Sequence, residues 1–540
     1  MADFATLFRR GIRLPPAGWA LAAMLAFYVL AGLFARDPWK GEDAIHIGTA
    51  WNMLHYSDWL SPDLAGRDFH EPPLYYWTGA LTGKALGWLL PLHEAIRLAS
   101  GVWVTLALVG IYYAGRELFG QESAAASPLL LAGCVGLLIH AHDAQPMLIA
   151  VAAYGVAIAA LPALTRRPWR AGTFYGLAIT ACLLGTGIAP TLPLLAIAPL
   201  AWWLSTDRWL ALRALALGLG LSLLLILPWP LLLLAYEPSR FHGWLNTELV
   251  PLRTPFSFFG AARFLLLLPW FAFPALPLAA WTLWTRRQAI TAMPQLLPLA
   301  FLLLTLLMLA LAFRPREIPA LLLLPPLALL ATPGALTLRR GAASAFDWFS
   351  MTTFSFFIAL LWVTWSAMAL GWPARLASRV VVLRPGFVGH FELAAFAIGI
   401  VATVWWIWLI ATAPRSPYRS LTHWTLGFTT LWLMATSLIL PWFDYGKTYR
   451  PVAEAIAQAL PADHGCLAER GLSNTQRASL AYFIGIEPAA VNSAAGRECN
   501  WLLVTGNSSK DLAAPNGTWT RVWEGNRPGE RKEKFRLYRR

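Results

Sequence analysis

Residues 214–234 read ALALGLGLSLLLILPWPLLLL and contain no charged side chain. A run of about twenty apolar residues is long enough to cross the hydrocarbon core of a bilayer as an α-helix. Similar runs recur near residues 17–35, 99–118, 124–141, 147–164, 172–188, 191–204, 263–284, 294–313, 318–334, 349–370, 391–412 and 422–440. The pattern predicts a polytopic α-helical membrane protein with about thirteen transmembrane helices.

The composition of the whole chain agrees with this prediction. Of its 540 residues, 58% are hydrophobic and only 13% are charged, whereas a soluble domain carries about 25% charged residues. The composition therefore excludes an ordinary soluble fold. The net charge of +14 comes mostly from short arginine clusters between the apolar runs, so it does not indicate a nucleic-acid partner.

The arginine clusters also predict an orientation. Examples are Arg166 with Arg167 and Arg339 with Arg340, which fall in alternate connections between apolar runs. The positive-inside rule assigns such connections to the cytoplasm. It places the N-terminus inside, and it places the loop 37–96 and the tail 442–540 outside.

The tail, residues 442–540, reads as a small α/β soluble domain. Helical periodicity covers residues 449–460 and 474–483, and strand-like runs lie at 501–504 and 535–538. We therefore divide the chain into a transmembrane domain, 1–441, and a soluble domain, 442–540. In an oxidising compartment Cys466 and Cys499 are a natural disulfide pair, although two cysteines alone do not decide between a disulfide and free thiols.

The first outer loop carries adjacent carboxylates. It begins Asp37-Pro38-Trp39-Lys40-Gly41-Glu42-Asp43, directly after the first apolar run. Carboxylates are costly inside the apolar slab, so a pair at this position indicates a site at the membrane surface. The alternative is a solvated loop whose acids stabilise the start of the next helix. The residue types alone leave both interpretations open.

The order of motifs resembles the GT-C class of membrane glycosyltransferases, in particular the bacterial ArnT-like aminoarabinose transferases and the protein O-mannosyltransferase superfamily. The acidic pair is followed by Met53-Leu54, Ser57-Asp58-Trp59, His70-Glu71-Pro72-Pro73 and Tyr76-Trp77. The resemblance continues at Arg97-Leu98, Arg116-Glu117-Leu118, Leu268-Pro269-Trp270, Arg316-Glu317-Ile318 and Leu324-Pro325-Pro326. It covers most of the membrane part.

The resemblance implies transfer of a sugar from a polyprenyl-phosphate donor to an envelope acceptor at the periplasmic face of the bacterial inner membrane. The acceptor is a lipid A-like glycolipid, another glycan or a protein, and the family usually inverts the anomeric carbon. A carboxylate would take the proton of the acceptor hydroxyl, and cations would stabilise the lipid phosphate that departs. Glu42 and Asp43 are the candidate bases, and the sequence does not choose between them.

Three arginines, Arg97, Arg253 and Arg316, are the candidate phosphate ligands, because a guanidinium binds phosphate bidentately. For each of them the alternative is a residue at a helix end that snorkels to the interface.

A second polar loop could complete the pocket near the acidic pair. Its residues are His140, His142 and Asp143, and they could join the earlier candidates His46, His70 and Glu71 in binding donor or acceptor. Imidazoles and carboxylates also bind metals, but the spacing matches no metal motif. We therefore expect no required cofactor and assign no metal ligands.

The sequence departs from the family pattern at three places. The acidic pair is in swapped order, the expected lysine before Pro72 is replaced in the pair His70-Glu71, and an expected lysine in Gly185-Thr186-Gly187 is Thr186. These changes keep a non-catalytic membrane scaffold open as an alternative. A transporter or flippase should show inverted repeats and charges in the middle of its spans, and the sequence shows neither.

Overall fold

The computed structural model describes residues 17–67, 69–253, 258–314, 316–508, 511–514, 518–530 and 532–540, with side chains except at 17–21, 251–253 and 258–261. Its architecture is a helical membrane part followed by a small α/β region, as the sequence predicts. Helices dominate because a helix satisfies its own backbone hydrogen bonds inside a bilayer.

The membrane part is a succession of helices joined by short connections. Their bounds are Ala17–Leu30, Glu42–Tyr56, Leu74–Leu86, Leu92–Phe119, Ala126–Ala132, Val135–His140, Met147–Ala160, Pro168–Thr186, Ile188–Trp203, Arg208–Ile226, Pro228–Tyr236, Pro238–Arg253, Phe258–Phe271, Ala275–Thr285, Met293–Ala312, Glu317–Ala320, Leu324–Leu336, Arg340–Ala369, Ala374–Leu383, Leu393–Thr412, Arg419–Met434 and Leu440–Lys447.

The number of spans differs from the predicted thirteen. Among the described residues, 7 helices are long and apolar enough to cross a membrane, or 8 if the bent pair Ala262–Phe271 and Ala275–Thr285 counts as one span. The count of thirteen is therefore not confirmed, although helix lies in every predicted run. Several runs form short or broken helices. Residues 124–141, for example, divide at Gly133 and Cys134, where the indole of Trp424 lies so close that a Cβ on Gly133 would come within 2.9 Å of it.

Two helices at the centre of the core pack with their backbones in contact. A Cβ on Gly110 of helix Leu92–Phe119 would lie 2.8 Å from the backbone nitrogen of Val156 in helix Met147–Ala160. Small residues permit such close helix packing in membranes. Because Arg97 lies in the second turn of one helix and residues 142–146 precede the other, this packing brings Arg97 and the second polar loop together.

The C-terminal region contains a five-stranded sheet with strand order β2-β1-β3-β5-β4. The strands are β1 (Leu467–Arg470), β2 (Ala489–Ala490), β3 (Trp501–Gly506), β4 (Thr520–Asn526) and β5 (Lys534–Arg539), and the helices are Arg450–Ala459, Asn474–Ile484 and Ala494–Glu498. Strand β1 is parallel to β2 and β3, and β5 is antiparallel to β3 and β4. Cys466 and Cys499, which precede β1 and β3, form a disulfide.

The sheet region packs directly on the first outer loop. Helix Asn474–Ile484 crosses helix Glu42–Tyr56 so closely that a Cβ on Gly48 would lie 2.7 Å from the Cβ of Ala478. The guanidinium of Arg450 donates to both carboxylate oxygens of Asp37, one bond measuring 2.8 Å. The C-terminal domain therefore covers one side of the loop that carries the predicted site. The predicted boundary at residue 442 falls inside helix Leu440–Lys447.

Candidate active site

Asp43 is buried, and its carboxylate is fully hydrogen-bonded. Its Oδ1 accepts from the Arg97 Nε at 3.2 Å and from the Ala144 backbone at 2.7 Å. Its Oδ2 accepts from the Arg97 Nη2 and from the Trp39 backbone, both at 3.0 Å. Burial alone would raise the pKa of Asp43, but the guanidinium groups of Arg97 and Arg36 outweigh it and hold that pKa well below its usual range. Asp43 is an anchor whose lone pairs are already occupied.

Arg97 is the partner in this anchor. Its side chain is 0% exposed, and besides Asp43 it donates to three backbone carbonyls, those of Leu33 at 3.1 Å, Arg36 at 3.3 Å and Asp37 at 3.1 Å. These bonds use all five guanidinium donors. Arg97 therefore fastens the turn between the first helix and the acidic pair, and it has no donor left for a phosphate.

The second polar loop joins the anchor through Arg36. The Arg36 guanidinium donates to the Asp143 carboxylate at 2.8 Å and to the His142 carbonyl at 2.5 Å, and it lies 3.7 Å from Asp43. The His142 ring is buried, and its Nε2 lies 2.7 Å from the Tyr28 carbonyl. The structure therefore brings this loop beside the acidic pair, with Asp143 partly exposed and His142 enclosed by protein.

Glu42 faces outward, unlike its neighbour. Its side chain is 44% exposed, and its Oε2 lies 3.3 Å from the Nε2 of His46, one helical turn further on. The hydrogen bond with His46 holds the pKa of Glu42 below its usual value, and the charge of Arg316 acts in the same direction against partial burial. Glu42 is therefore ionised at neutral pH, the form in which a carboxylate accepts a proton.

A second half-exposed carboxylate, Glu71, lies on the other side of His46. The Tyr76 hydroxyl donates to the Glu71 Oε2 at 2.5 Å and lies 2.8 Å from the His46 Nδ1. Both His46 and Tyr76 are buried, whereas the Glu71 side chain is 40% exposed. A continuous chain of polar atoms thus runs from Glu42 through His46 and Tyr76 to Glu71, and we call these four residues the relay cluster.

The remaining candidates lie around this cluster or outside it. The ring of His70 lies against helix Pro238–Arg253, where a Cβ on Gly243 would come within 2.4 Å of it. Arg316 is exposed, and among the described residues it has no ion-pair partner. His140 pairs with Glu317 at 3.5 Å. Arg253 ends its helix, but its side chain lies outside the described residues.

The structure also brings in residues that sequence reasoning missed or interpreted otherwise. Tyr76, which an aromatic belt at the membrane surface would explain, is fully buried at the centre of the relay cluster. Arg36 directly follows an apolar run, a position typical of an arginine that extends from a helix end to the membrane interface. Glu248 accepts a 2.7 Å hydrogen bond from the Ile188 backbone, and burial, with the charge of Glu71, raises its pKa to about 7. No motif marks Glu248.

Across the part of the chain that the structure describes, His, Cys, Asp and Glu side chains form no group of three or more that could hold a metal ion.

Comparison with known proteins identifies the fold. No protein-family model and no curated protein matches the chain. Among solved structures, ArnT from Cupriavidus metallidurans bound to undecaprenyl phosphate matches with a TM-score of 0.69 and 17% identity, covering 97% of this chain and 98% of that one. The apo state of the same protein matches with a TM-score of 0.67 and 16% identity, covering 96% and 98%. The chain therefore has the fold of this ArnT along nearly its whole length.

Proposed function

We propose that this chain transfers a sugar from a polyprenyl-phosphate-linked donor to an envelope acceptor, with Glu42 as the general base. The observation that carries the proposal is the relay cluster, in which an ionised, half-exposed carboxylate adjoins a buried histidine. Further support comes from the ArnT-like fold, since that ArnT was solved with undecaprenyl phosphate bound. In this proposal the protein lies in the bacterial inner membrane, with its N-terminus in the cytoplasm and its C-terminal domain in the periplasm.

The proposed reaction needs one base and one leaving group. The acceptor hydroxyl attacks the anomeric carbon from the face opposite the lipid phosphate, so the configuration inverts. The bond between that carbon and the phosphate oxygen breaks, and its electron pair leaves with the phosphate. The hydroxyl proton passes to Glu42. The acceptor is a lipid A-like glycolipid, another glycan or a protein, and the sugar is a hexose or a pentose.

The hydrogen-bond donors and acceptors around His46 explain why Glu42 suits the role of general base. Because the single Tyr76 hydroxyl proton is donated to Glu71, the Nδ1 of His46 must donate to the Tyr76 oxygen. The Nε2 of His46 then faces the Glu42 carboxylate at 3.3 Å. A proton that Glu42 receives from the acceptor can therefore be shared with Nε2. The pair can thus take up a proton without a large rearrangement.

The departing phosphate requires a cation, and Arg316 is the candidate that the geometry favours. Its charge acts on Glu42, its side chain is exposed, and no described carboxylate pairs with it. Arg97, by contrast, is enclosed and fully hydrogen-bonded. We therefore assign the phosphate to Arg316 and a positioning role to Arg97.

The test compares envelope glycolipids and glycoproteins by mass spectrometry in cells that carry the intact protein or a Glu42→Gln variant. We expect the variant to lose a defined sugar mass from one product, because removing a general base costs about 10²–10⁴ in rate. Glu454→Gln is the matched control, since Glu454 is an exposed carboxylate on a helix of the C-terminal domain. It should leave the product unchanged.

Two outcomes would overturn the assignment. Unchanged product in the Glu42→Gln cells would exclude Glu42 as the base. If no product distinguishes cells with the intact protein from cells lacking it, the glycosyltransferase proposal fails and the transporter and scaffold alternatives take its place.

A further inference from the structure

A segment far along the chain from the candidate active site forms an unusual connection between two spans. Helices Arg340–Ala369 and Leu393–Thr412 are both long and apolar enough to cross a membrane. The connection between them, residues 370–392, must therefore lie at one membrane surface. It contains helix Ala374–Leu383 and adjoins the C-terminal domain, because a Cβ on Gly529 would lie 2.8 Å from the Leu383 carbonyl.

The helix has an apolar and a basic face. Leu376, Val380 and Leu383 recur at spacings of four and three, which places them on one face, while Arg375 and Arg379 share another. The apolar face is only partly covered by the protein, since Leu376 is 43% and Leu383 is 58% exposed. A helix with this pattern is typical of segments that lie in the plane of a membrane interface.

The charge of the connection is strongly one-sided. Residues 370–392 contain three arginines and one carboxylate, Glu392, which stands at the end of the connection and lies 3.5 Å from His390. The third, Arg384, follows the helix and lies between the C-terminal domain and Trp442, over whose ring its guanidinium sits at 5.3 Å. Its Nε is buried without a hydrogen-bond partner among the described residues. The guanidinium is thus held in place by packing, with its charge left unneutralised by any described carboxylate.

A cleft opens next to Arg384. Its volume is about 390 Å³, and it is lined by Val382 and Pro385 from the connection and by Asn526, Pro528 and Gly529 from the C-terminal domain. Val382 and Pro385 flank Arg384 closely in sequence. The cleft is large enough for a lipid headgroup and lies beside the guanidinium of Arg384.

We infer that residues 372–388 form a membrane-surface site that binds the headgroups of anionic phospholipids. In this arrangement Leu376 and Leu383 lie at the level of the upper acyl chains. Arg375, Arg379 and Arg384 face the headgroup phosphates, with which guanidinium groups form charge-assisted hydrogen bonds.

A lipid fits this surface better than a protein partner. Because the connection joins two spans, both of its ends lie at the bilayer surface. Trp372, at its start, is 70% exposed, and tryptophan is enriched at membrane interfaces. The bilayer is therefore within reach of the exposed apolar side chains, and the arginines favour lipids whose headgroups are negatively charged.

The experiment uses the full-length protein in phosphatidylcholine vesicles, with a fluorophore attached through Leu376→Cys. The label is selective because Cys134 and Cys182 are buried and Cys466 and Cys499 are disulfide-bonded. Brominated phosphatidylglycerol or brominated phosphatidylcholine is added at the same low mole fraction as a contact quencher. We expect phosphatidylglycerol to quench at least about threefold more strongly.

The preference should depend on charge. Both lipids should quench equally in a triple variant with Arg375→Gln, Arg379→Gln and Arg384→Gln. The preference for phosphatidylglycerol should remain in a control variant with Arg286→Gln and Arg287→Gln, since those exposed arginines lie between other helices. If the triple variant fails to fold, raising the salt from about 0.05 to about 0.5 M with the intact arginines tests the same charge effect through screening.

Two results would overturn the inference. Equal quenching by both lipids with the arginines intact would exclude selectivity for anionic headgroups. A fluorophore that neither lipid quenches would show that the helix face does not contact the bilayer, so that another protein surface covers it. Both results are independent of the proposed transferase activity.

Discussion

Because Asp43 and Glu42 are assigned different roles, neutralising Asp43 should lower stability, whereas neutralising Glu42 should abolish transfer. Asp43→Asn replaces an oxygen that accepts hydrogen bonds with an NH₂ group that must face a donor of Arg97 and the backbone N–H of either Ala144 or Trp39. It also leaves the Arg97 charge, which is 0% exposed, without its partner. Removing one member of a buried ion pair costs about 3–5 kcal/mol. Glu42→Gln removes a half-exposed pair, for which about 0–1 kcal/mol is expected.

The assay is unfolding of the purified protein by SDS in mixed micelles, followed by tryptophan fluorescence, together with transfer measured on the same preparations. We expect Asp43→Asn to unfold at clearly lower SDS, and Glu42→Gln to unfold like the unmodified protein while losing transfer. The reasoning would be refuted if Asp43→Asn kept full stability and lost transfer while Glu42→Gln stayed active. In that case the buried carboxylate would be the base.

Three further predictions test other contacts. Burial would raise the pKa of Asp37, but hydrogen bonds and the charge of Arg450 outweigh it and hold that pKa below its usual value. Docking of the C-terminal domain on the first outer loop should therefore weaken as the pH falls through the lowered pKa. Hydrogen exchange of the two contacting segments should rise over that pH range in the unmodified protein and stay independent of pH in Arg450→Gln. Tyr76→Phe breaks the relay cluster and should shift the pH profile of transfer; because it leaves the buried Nδ1 of His46 without its partner, it should also lower the free energy of unfolding by about 1–3 kcal/mol, and an unchanged pH profile would contradict the relay. Because the pKa of Glu248 is raised to about 7, the folded state binds an extra proton below that pH, and the free energy of unfolding should fall as the pH rises from about 4.5 through 7. Glu248→Gln should therefore need more SDS to unfold than the unmodified protein at pH 8 but not at pH 5.

The sequence predicts those features that the membrane itself imposes. Residues that cross a bilayer must be apolar and helical, so each apolar run is helical in the structure. The number of spans is harder to predict, because runs such as 124–141 break where another helix packs against a glycine. Hydropathy reports the polarity of a run and does not register such contacts.

The candidate site likewise combines features that the sequence predicts with features that depend on distant contacts. The motif order correctly predicts the fold and directs attention to the loop 37–96, but adjacency in sequence cannot separate Glu42 from Asp43. Successive helical residues point about 100° apart, so one carboxylate faces the core and the other the open side. Which of them is buried depends on Arg97 and Ala144, which are more than fifty residues away. Glu248 is brought in by the same kind of distant contact.

The contact between the loop and the C-terminal domain also sets an order of events during synthesis. Asp37 and its partner Arg450 are 413 residues apart, so at about 5–20 residues per second the ribosome needs roughly 20–80 s to make the second after the first. During that interval helix Glu42–Tyr56 is exposed on the side that Ala478 later covers. A nascent chain therefore carries its acidic loop uncovered, and a chain truncated before residue 450 would keep it so.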